Sequence, residues 1–384
     1  MPLLVYSVPF LSAVSMTALL FAFPLAISES TGSTFLSGLV IFVSGVAYAV
    51  ATITLAVTRP SNRRSLGLVY GGLGAVLAST ILPMLFPEPW WLQYLYAALQ
   101  AAGSATLLVC FQIILDVVAS RFPLPVAYSN FVMSWGLGSA VGPLLSGLFR
   151  GSSRMAPFIV SASATLLAFM VLVLVMRTRP REAARDINFI PPKIPPTAVR
   201  FGWVLIFLGS TCMATTRGVL PDFGIKNGFT DLQSGLLLFG MFVALTVSAF
   251  FMRFFYRRFL EQSKYFVIVV IGYVVSNVSI ALSANIIVIA ASLIVMGFCI
   301  AAGYYFAGFY ALSDPVNKSR NVGTNESIAS VAGILGPLSG AALADASGYV
   351  SLFLAMAVVS FGVFWWGYWR SYSQGSMKES KTVI

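Results

Sequence analysis

Twelve apolar stretches, each long enough to cross a bilayer, occupy most of this chain. A bilayer needs about 20 apolar residues per helical span, and 58% of the 384 residues are hydrophobic while only 9% are charged. Because lipid offers the backbone no hydrogen-bond partners, each span is expected to be a helix. The sequence therefore predicts an all-α membrane protein with spans near residues 2–27, 35–57, 65–86, 91–115, 126–149, 155–176, 200–221, 231–252, 265–283, 285–312, 320–345 and 349–369.

The basic residues are distributed unevenly between the two sides that these spans define. If the N-terminus is cytoplasmic, 19 of the 23 Lys and Arg lie in cytoplasmic loops or the tail. This asymmetry follows the positive-inside rule. We therefore expect a multi-pass protein of the cell (inner) membrane with cytoplasmic N- and C-termini. The net charge of +11 is then a matter of topology and does not indicate nucleic-acid binding.

The residue types present argue against most enzyme chemistries. The chain has no histidine, and its three cysteines, Cys110, Cys212 and Cys299, all lie inside apolar spans. This pattern gives no metal site, no disulfide framework and no His-based catalytic group. We expect no enzyme activity, no cofactor and no metal. The expected partners are the lipid bilayer, a small-molecule substrate and protons, with a functional monomer.

The chain repeats itself. The Arg- and Pro-rich segment 177–199 is predicted to link two six-helix bundles, 1–176 and 200–369, and a cytoplasmic tail, 370–384, follows them. A block that begins at Phe23 aligns with one that begins at Leu220, at an offset of 197. Two further matches occur in the same order. They pair Asp116 with Asp314, and Gly142-Pro143 with Gly336-Pro337.

A glycine-rich motif in the fifth span points to a family. The segment GLGSAVGPLLSG, with Gly138, Gly142, Pro143 and Gly147, is similar to the antiporter signature G-x-x-x-G-P-x-x-G-G, although Ser146 replaces one glycine. With six plus six helices in parallel repeats, the chain resembles the major facilitator superfamily. The resemblance implies two bundles that rock about a central site, and the motif favours an exchanger or efflux protein. Tight helix packing alone is the other interpretation of these glycines.

The loop after the second span departs from the family's pattern. It reads LAVTRPSNRRSLG, and so keeps the arginines of G-x-x-x-D-R-x-G-R-R but lacks its aspartate. We expect two cytoplasmic gate latches instead, unless these are ordinary interfacial charges. The candidate pairs are Asp116 with Arg63 or Arg64, and Asp314 with Arg257 or Arg258.

Few charged residues lie away from the ends of the predicted spans, where ionisable groups are functional candidates by default, and two of them are singled out. Glu326 lies about two turns into the eleventh span. Since burial favours the neutral form of a carboxyl, Glu326 could bind and release a proton, or it could merely complement the helix dipole. Arg217 stays charged and would face a cavity, an acidic partner such as Asp222, or the outer interface.

The remaining candidates are polar and aromatic residues near the membrane midplane. In the superfamily, spans one, four, seven and ten line the cavity, and residues of spans five and eleven could join them. Each candidate could instead serve helix packing. They are Ser12, Ser15, Gln100, Thr106, Asn130, Trp135, Thr215, Thr216, Arg217, Tyr304, Tyr305 and Asn325.

These features together predict a secondary active transporter that works by alternating access. A largely apolar cavity with a few hydrogen-bonding groups suits a small amphipathic organic solute, which we expect to be exported in exchange for protons. One alternative is an uptake carrier or uniporter for a small organic anion held by Arg217. The alternative from another class is a non-transporting membrane receptor or scaffold on the same fold.

Overall fold

The computed structural model describes residues 3–31, 34–115, 119, 122–150, 153–177, 194, 196–261, 264–314 and 316–379. A 3-10 turn, Leu4–Tyr6, precedes eleven helical segments. We number the first ten α1 Ser7–Thr31, α2 Thr34–Thr58, α3 Asn62–Leu85, α4 Leu92–Ile113, α5 Leu124–Arg150, α6 Ala156–Arg177, α7 Pro196–Lys226, α8 Asp231–Glu261, α9 Lys264–Leu282 and α10 Ile286–Ser313.

The last segment, Lys318–Glu379, is two helices joined without a loop. Gly348 has a φ of 83° inside it, a left-handed conformation that glycine adopts at no steric cost. We number the two parts α11 (318–347) and α12 (349–379). The described residues contain no β-strand, so the prediction of an all-α fold with twelve helices is confirmed.

Ten segments of the described chain are long and apolar enough to cross a membrane. The two helices outside this set are α5 and α11, which carry the two Gly-Pro pairs. They occupy equivalent places in the sequence repeat. One helix in each half, the fifth, therefore departs most from a plain lipid-facing composition.

Packing repeats between the first six helices and the last six. α1 packs against α5 as α7 packs against α11, and α2 packs against α4 as α8 packs against α10. α3 contacts α4 and α6, and α9 likewise contacts α10 and the Lys318–Glu379 segment. Most of the predicted linker, 178–193 and 195, lies outside the described residues. We call the side of the molecule on which α6 ends and α7 begins the linker side.

The two Gly-Pro pairs have the same structural role. A Cβ at Gly142 of α5 would lie 2.6 Å from the Val14 carbonyl oxygen of α1. A Cβ at Gly336 of α11 would lie 2.9 Å from the Thr211 carbonyl oxygen of α7. Gly138 likewise leaves no room between α5 and the Phe10 carbonyl of α1. Glycine therefore allows backbone contact between these helices, as the sequence motif indicates.

The first of two seams that join the halves is formed by α2 and α11. The Ser319 hydroxyl donates to the Pro60 carbonyl at 3.0 Å, near the linker side. One turn further into α11, a Cβ at Gly323 would lie 2.6 Å from the Ala56 Cα. Ser327 then donates to the Thr52 hydroxyl at 3.3 Å. We call this contact the α2–α11 seam.

The second seam is formed by α5 and α8. The Ser129 hydroxyl donates to the Ala249 carbonyl at 2.6 Å. A Cβ at Gly136 would lie 2.7 Å from the Leu245 side chain and 2.8 Å from the Thr246 hydroxyl. We call this contact the α5–α8 seam. The two seams hold the halves together on either side of a central cavity.

Candidate functional site

A cavity of about 160 Å³ lies between the two halves. Seven helices supply its wall, namely α1, α2, α4, α5, α7, α10 and α11. Most of the wall is apolar, as expected for a site that takes an amphipathic organic molecule. Its polar and aromatic side chains are Ser44, Tyr48, Gln100, Gln112, Tyr128, Phe131, Trp135, Ser210, Arg217, Tyr304, Glu326 and Ser330.

Glu326 of α11 is held by two donors from the other half. The Gln112 amide of α4 donates to Glu326 Oε1 at 2.7 Å, and the Tyr48 hydroxyl of α2 donates to Oε2 at 3.3 Å. The side chain is 8% exposed and lines the cavity. A carboxylate with one donor on each oxygen is well satisfied at this depth. Glu326 is thus a cavity residue, and its carboxyl bridges the two halves.

An aromatic pair forms another part of the wall. The rings of Trp135 and Tyr304 stack with centroids 5.1 Å apart and an interplanar angle of 30°. Hydrogen bonding fixes the Tyr304 ring, because its hydroxyl and that of Ser210 lie 2.9 Å apart. The pair brings α5 of the first half against α10 of the second. Its rigid apolar surface can hold the flat, apolar part of a ligand.

Arg217 of α7 provides the positive charge of the cavity wall. Its side chain is partly exposed, and it interacts electrostatically with Tyr304. No ion pair or hydrogen bond of Arg217 occurs within the described part of the chain, which does not include the side chain of Asp222. A charge in a mostly apolar cavity is costly unless something neutralises it. The arrangement therefore suits a ligand with a negative group.

Aromatic residues close the cavity on the linker side. The Tyr305 hydroxyl of α10 donates to the Pro125 carbonyl at 3.1 Å, and the Tyr128 hydroxyl of α5 donates to the Tyr304 carbonyl at 3.2 Å. The Tyr305 ring stacks on Phe309 with centroids 6.0 Å apart. These rings are fully buried. The first and second halves are therefore in direct contact between the cavity and the linker side.

Five of the residues that the sequence singled out line this cavity. They are Gln100, Trp135, Arg217, Tyr304 and Glu326. They come from five different helices, so the fold brings together residues that are far apart in the chain. The other eight cavity candidates are placed elsewhere, in helix packing or in the closed region on the linker side.

Three of these eight are at helix–helix contacts. The Ser15 hydroxyl lies 2.6 Å from that of Ser161 and 2.8 Å from that of Thr165, between α1 and α6. Thr215 packs against Gly336. Thr216 donates to the Met296 sulfur at 3.6 Å. These hydroxyls satisfy each other or fill space between helices, so they do not point toward the cavity.

The remaining five are satisfied locally or buried. Thr106 donates to the Ala102 carbonyl of its own helix at 2.8 Å. Asn130 lies beside Tyr6, and Tyr305 belongs to the closed region on the linker side. Ser12 and Asn325 are buried, without a hydrogen-bond partner for their side chains among the described residues.

The gate latches stay predictions. Asp116 lies outside the described residues, as do the side chains of Arg257 and Arg258, while Arg63 and Arg64 are exposed at the start of α3. The surroundings of Gly147 are also outside the described part. The structure gives Asp314 a local role, since its carboxylate accepts the backbone N–H groups of Val316 and Asn317 at 3.0 and 3.1 Å.

These contacts change the acidity of Asp314. Partial burial alone would raise its pKa, but hydrogen bonds from Asn317, Val316 and Asn321 outweigh burial. The net result is that the pKa of Asp314 is lowered from its ordinary value. The charged carboxylate thus stabilises the turn between α10 and α11.

Tyr48 and Gln112 are the functional candidates that sequence reasoning missed. Tyr48 lies in the middle of α2 and Gln112 near the linker-side end of α4. Tyr48 lies in span two, outside the cavity-lining spans that the family resemblance implies, whereas Gln112 lies in one of them, close to the end of span four. A buried glutamine in an apolar span was the available signal, because an amide in lipid needs a partner.

The sequence repeat shows that the charges of the cavity belong to one half. At the offset of 194 that relates Gly142 to Gly336, Glu326 corresponds to Val132. At the offset of 197, Arg217 corresponds to Leu20. Val132 and Leu20 line the same cavity. The second half therefore supplies both charges, and the first half presents apolar side chains at the equivalent positions.

Comparisons with known proteins agree with this architecture. The family model described as Major Facilitator Superfamily matches residues 5–259 and 202–383. Among solved structures, the human organic anion transporter MFSD10 (TETRAN) is similar, with a TM-score of 0.70 and 16% identity over 94% of this chain and 97% of that chain. No curated protein sequence matches. The family match covers nearly the whole chain, and the chain belongs to the major facilitator superfamily, a family of membrane transporters.

Proposed function

We propose that this membrane transporter moves a small amphipathic organic solute by alternating access, and that proton binding at Glu326 drives the movement. The observation that carries the proposal is the central cavity, where a buried carboxyl and a cation share one mostly apolar wall. The seams and the closed linker side give the two halves a contact that can open and re-form. An enzyme is not consistent with the family.

The solute is proposed to carry an anionic group that binds Arg217. Support comes from the lack of a described partner for this guanidinium and from the stacked Trp135–Tyr304 pair, which suits a flat apolar body. The similar human structure is an organic anion transporter by its title. At 16% identity this likeness shows the fold, and the proposed substrate class for this chain rests on its own cavity.

The proton role of Glu326 rests on its depth and its partners. Among the described cavity residues it is the acid, and the chain contains no histidine that could replace it. Burial of a carboxyl lowers the cost of protonation near neutral pH. We propose that the solute leaves the cytoplasm in exchange for protons, with cytoplasmic termini, in the cell membrane and with the monomer as the functional unit.

The second candidate is uptake or uniport of an organic anion. Arg217 is the observation that favours it, because an anion bound to arginine needs no proton to balance its charge. The two candidates differ in what a pH gradient does. Exchange for protons predicts that the solute accumulates on the acidic side of the membrane, because it moves opposite to the protons. Transport by a uniporter does not depend on the pH gradient.

The test is transport in liposomes that contain the purified protein. An aromatic carboxylate is offered under an imposed pH gradient, and its matched neutral amide serves as the comparison. We expect proton-driven accumulation of the carboxylate, which Arg217→Gln abolishes and Glu326→Gln reduces to downhill movement. Equal transport of carboxylate and amide would contradict the anion site. Accumulation unchanged in Glu326→Gln would contradict the proton role.

A further inference from the structure

The carboxyl of Glu326 belongs to one half of the molecule, whereas both of its hydrogen-bond donors belong to the other. Gln112 donates to it from α4 at 2.7 Å, and Tyr48 donates from α2 at 3.3 Å. Glu326 itself is on α11 of the second half. Any movement that separates α11 from α2 and α4 must therefore break both bonds.

The position of Glu326 along α11 links these bonds to the closed linker side. It lies between Gly323, which is in backbone contact with Ala56, and Ser330, which lines the cavity. Its neighbour Ser327 donates to Thr52 at 3.3 Å. The Glu326 bonds are thus at the point where the α2–α11 seam ends and the cavity begins. Opening a path from the linker side to the cavity therefore requires this part of the seam to separate.

The strength of the two bonds depends on the charge of Glu326. An ionised carboxylate accepts from both donors, and such charge-assisted bonds are about twice as strong as neutral ones. Protonation turns one carboxyl oxygen into an O–H donor, so the hydrogen bond on that oxygen must reverse or be lost, and neither bond is then charge-assisted. The charged form therefore loses more than the neutral form when the two donors move away.

The geometry points to a proton-sensitive lock, in which charged Glu326 holds the linker side closed through Tyr48 and Gln112 and a bound proton releases it. Tyr48 and Gln112 are positioning residues in this scheme, since they act through Glu326. The inference rests on the proposed proton role of Glu326 and adds the conformational consequence of protonation. It assigns the lock to the cavity end of the α2–α11 seam and to the neighbouring contact of α4 with α11.

Other ionisable groups near Glu326 do not change charge in the relevant range. Tyr48, Tyr128, Tyr304 and Arg217 face the same cavity from α2, α5, α10 and α7. Tyrosine and arginine keep their protons near neutral pH. Among the described cavity residues, Glu326 is therefore the group through which pH acts on the closed state.

The test measures the distance across the linker side without substrate. Spin labels are placed on Asn62→Cys, exposed at the start of α3, and Val316→Cys, exposed before α11. In the doubly labelled protein with Glu326 unchanged, we expect a short distance between the labels at about pH 8. At about pH 5 a second population with a longer distance should appear. Glu326→Gln mimics the neutral acid and is expected to raise the open-to-closed ratio at the higher pH roughly tenfold.

Matched variants separate the lock from general loosening of the seam. Tyr48→Phe removes a donor to the carboxylate, so the opening transition should move to higher pH. Tyr128→Phe removes a bond between the halves that does not involve the carboxylate, because the Tyr128 hydroxyl donates to the Tyr304 carbonyl. It should change the open-to-closed ratio by the same factor at both pH values. An identical pH response in Glu326→Gln and the unmodified chain would overturn the lock.

Failure of the lock and failure of the proposed function give different results. If the distances ignore pH while Glu326→Gln still loses proton-driven transport, the lock is wrong and the proton role stands. If the distances follow pH through Glu326 while no solute is driven by a pH gradient, the lock stands and the proposed coupling is wrong. Ser339→Ala serves as the control in both experiments, since Ser339 is exposed on the same helix, is not a cavity residue, and donates to the backbone carbonyls of Leu335 and Gly336.

Discussion

The two seams between the halves are equivalent in the repeat but differ in chemistry. Both rely on a glycine that allows close approach, Gly323 in the α2–α11 seam and Gly136 in the α5–α8 seam. At the offset of 197, Tyr48 corresponds to Leu245, and at 194, Glu326 corresponds to Val132. The hydrogen-bonded pair of one seam is therefore replaced by two apolar side chains, both buried, in the other.

This difference indicates how one repeat can serve two purposes. Apolar contacts have the same strength at any pH, so the α5–α8 seam can act as a constant contact. The strength of the α2–α11 seam depends on whether Glu326 is charged. A transporter needs a connection that persists and another that responds to its driving ion, and the two seams divide these tasks.

The largest expected effect comes from making the α5–α8 seam resemble its counterpart. Val132→Glu places an acid at the position equivalent to Glu326, without the Tyr48 and Gln112 donors. An intramembrane charge of this kind costs about 3 kcal/mol. We expect a large fall in the thermal unfolding midpoint in detergent at about pH 8. Val132→Gln is the neutral control, and equal stability of the two variants would show that the site already supplies partners for an acid.

The next effect compares the two glycines. A Cβ at Gly323 would meet the backbone of Ala56 at 2.6 Å, whereas a Cβ at Gly136 would meet the side chains of Leu245 and Thr246. Side chains can rotate away and a helix backbone cannot. Gly323→Ala should therefore cost about 2 kcal/mol of unfolding free energy, and Gly136→Ala less than half of that. Thermal unfolding of both variants checks this order, and the reverse order would contradict it.

A smaller effect is expected at the turn that leads into the α2–α11 seam. The lowered pKa of Asp314 means that its charged form stabilises the folded state. This contribution is present above the unfolded pKa, about 3.9, and is lost as pH falls through the lower folded value. Asp314→Ala should cost about 1 kcal/mol at neutral pH, discounted for solvent exposure, and less in acid. A pH series of unfolding midpoints measures it, and a loss that grows in acid would contradict it.

The smallest expected effect is at the α5–α8 seam, where we test whether the strength of the contact is independent of pH. Ser129→Ala removes the hydrogen bond to the Ala249 carbonyl. Hydrogen bonds between membrane helices contribute about 0.6 kcal/mol on average. The variant should open the linker side slightly and by the same factor at every pH. Spin-label distances at two pH values check this, and a pH-dependent change would mean that the two seams are coupled.

Much of the architecture could be predicted from the sequence. The apolar spans predicted the helices, and the repeat pairs Gly142 with Gly336, which contact α1 and α7 in the same way. Close helix contact at glycines depends on their spacing along one helix, so a short local motif is enough to predict it. Glu326 was found because a charge within an apolar span is rare.

The orientation of most polar side chains could not be predicted, for a physical reason. In a soluble helix the polar face shows which side is exposed, but here lipid and protein core are both apolar. Nothing in the sequence indicated that Ser15 faces α6 and that Tyr48 faces the cavity. Thr106 shows a second limit, because a hydroxyl can bond its own helix and need not point to a polar environment.

The placement of Arg217 and Glu326 on the same half has an electrical consequence. With both groups ionised, the empty cavity has one positive and one negative charge, so its exposure can switch between sides with little work against the membrane voltage. A bound anion together with a bound proton keeps that balance. An anion and a proton that travel in opposite directions would leave one unbalanced charge on each crossing, worth about 2.3 kcal/mol per 100 mV. The voltage dependence of transport therefore reports which ions cross together.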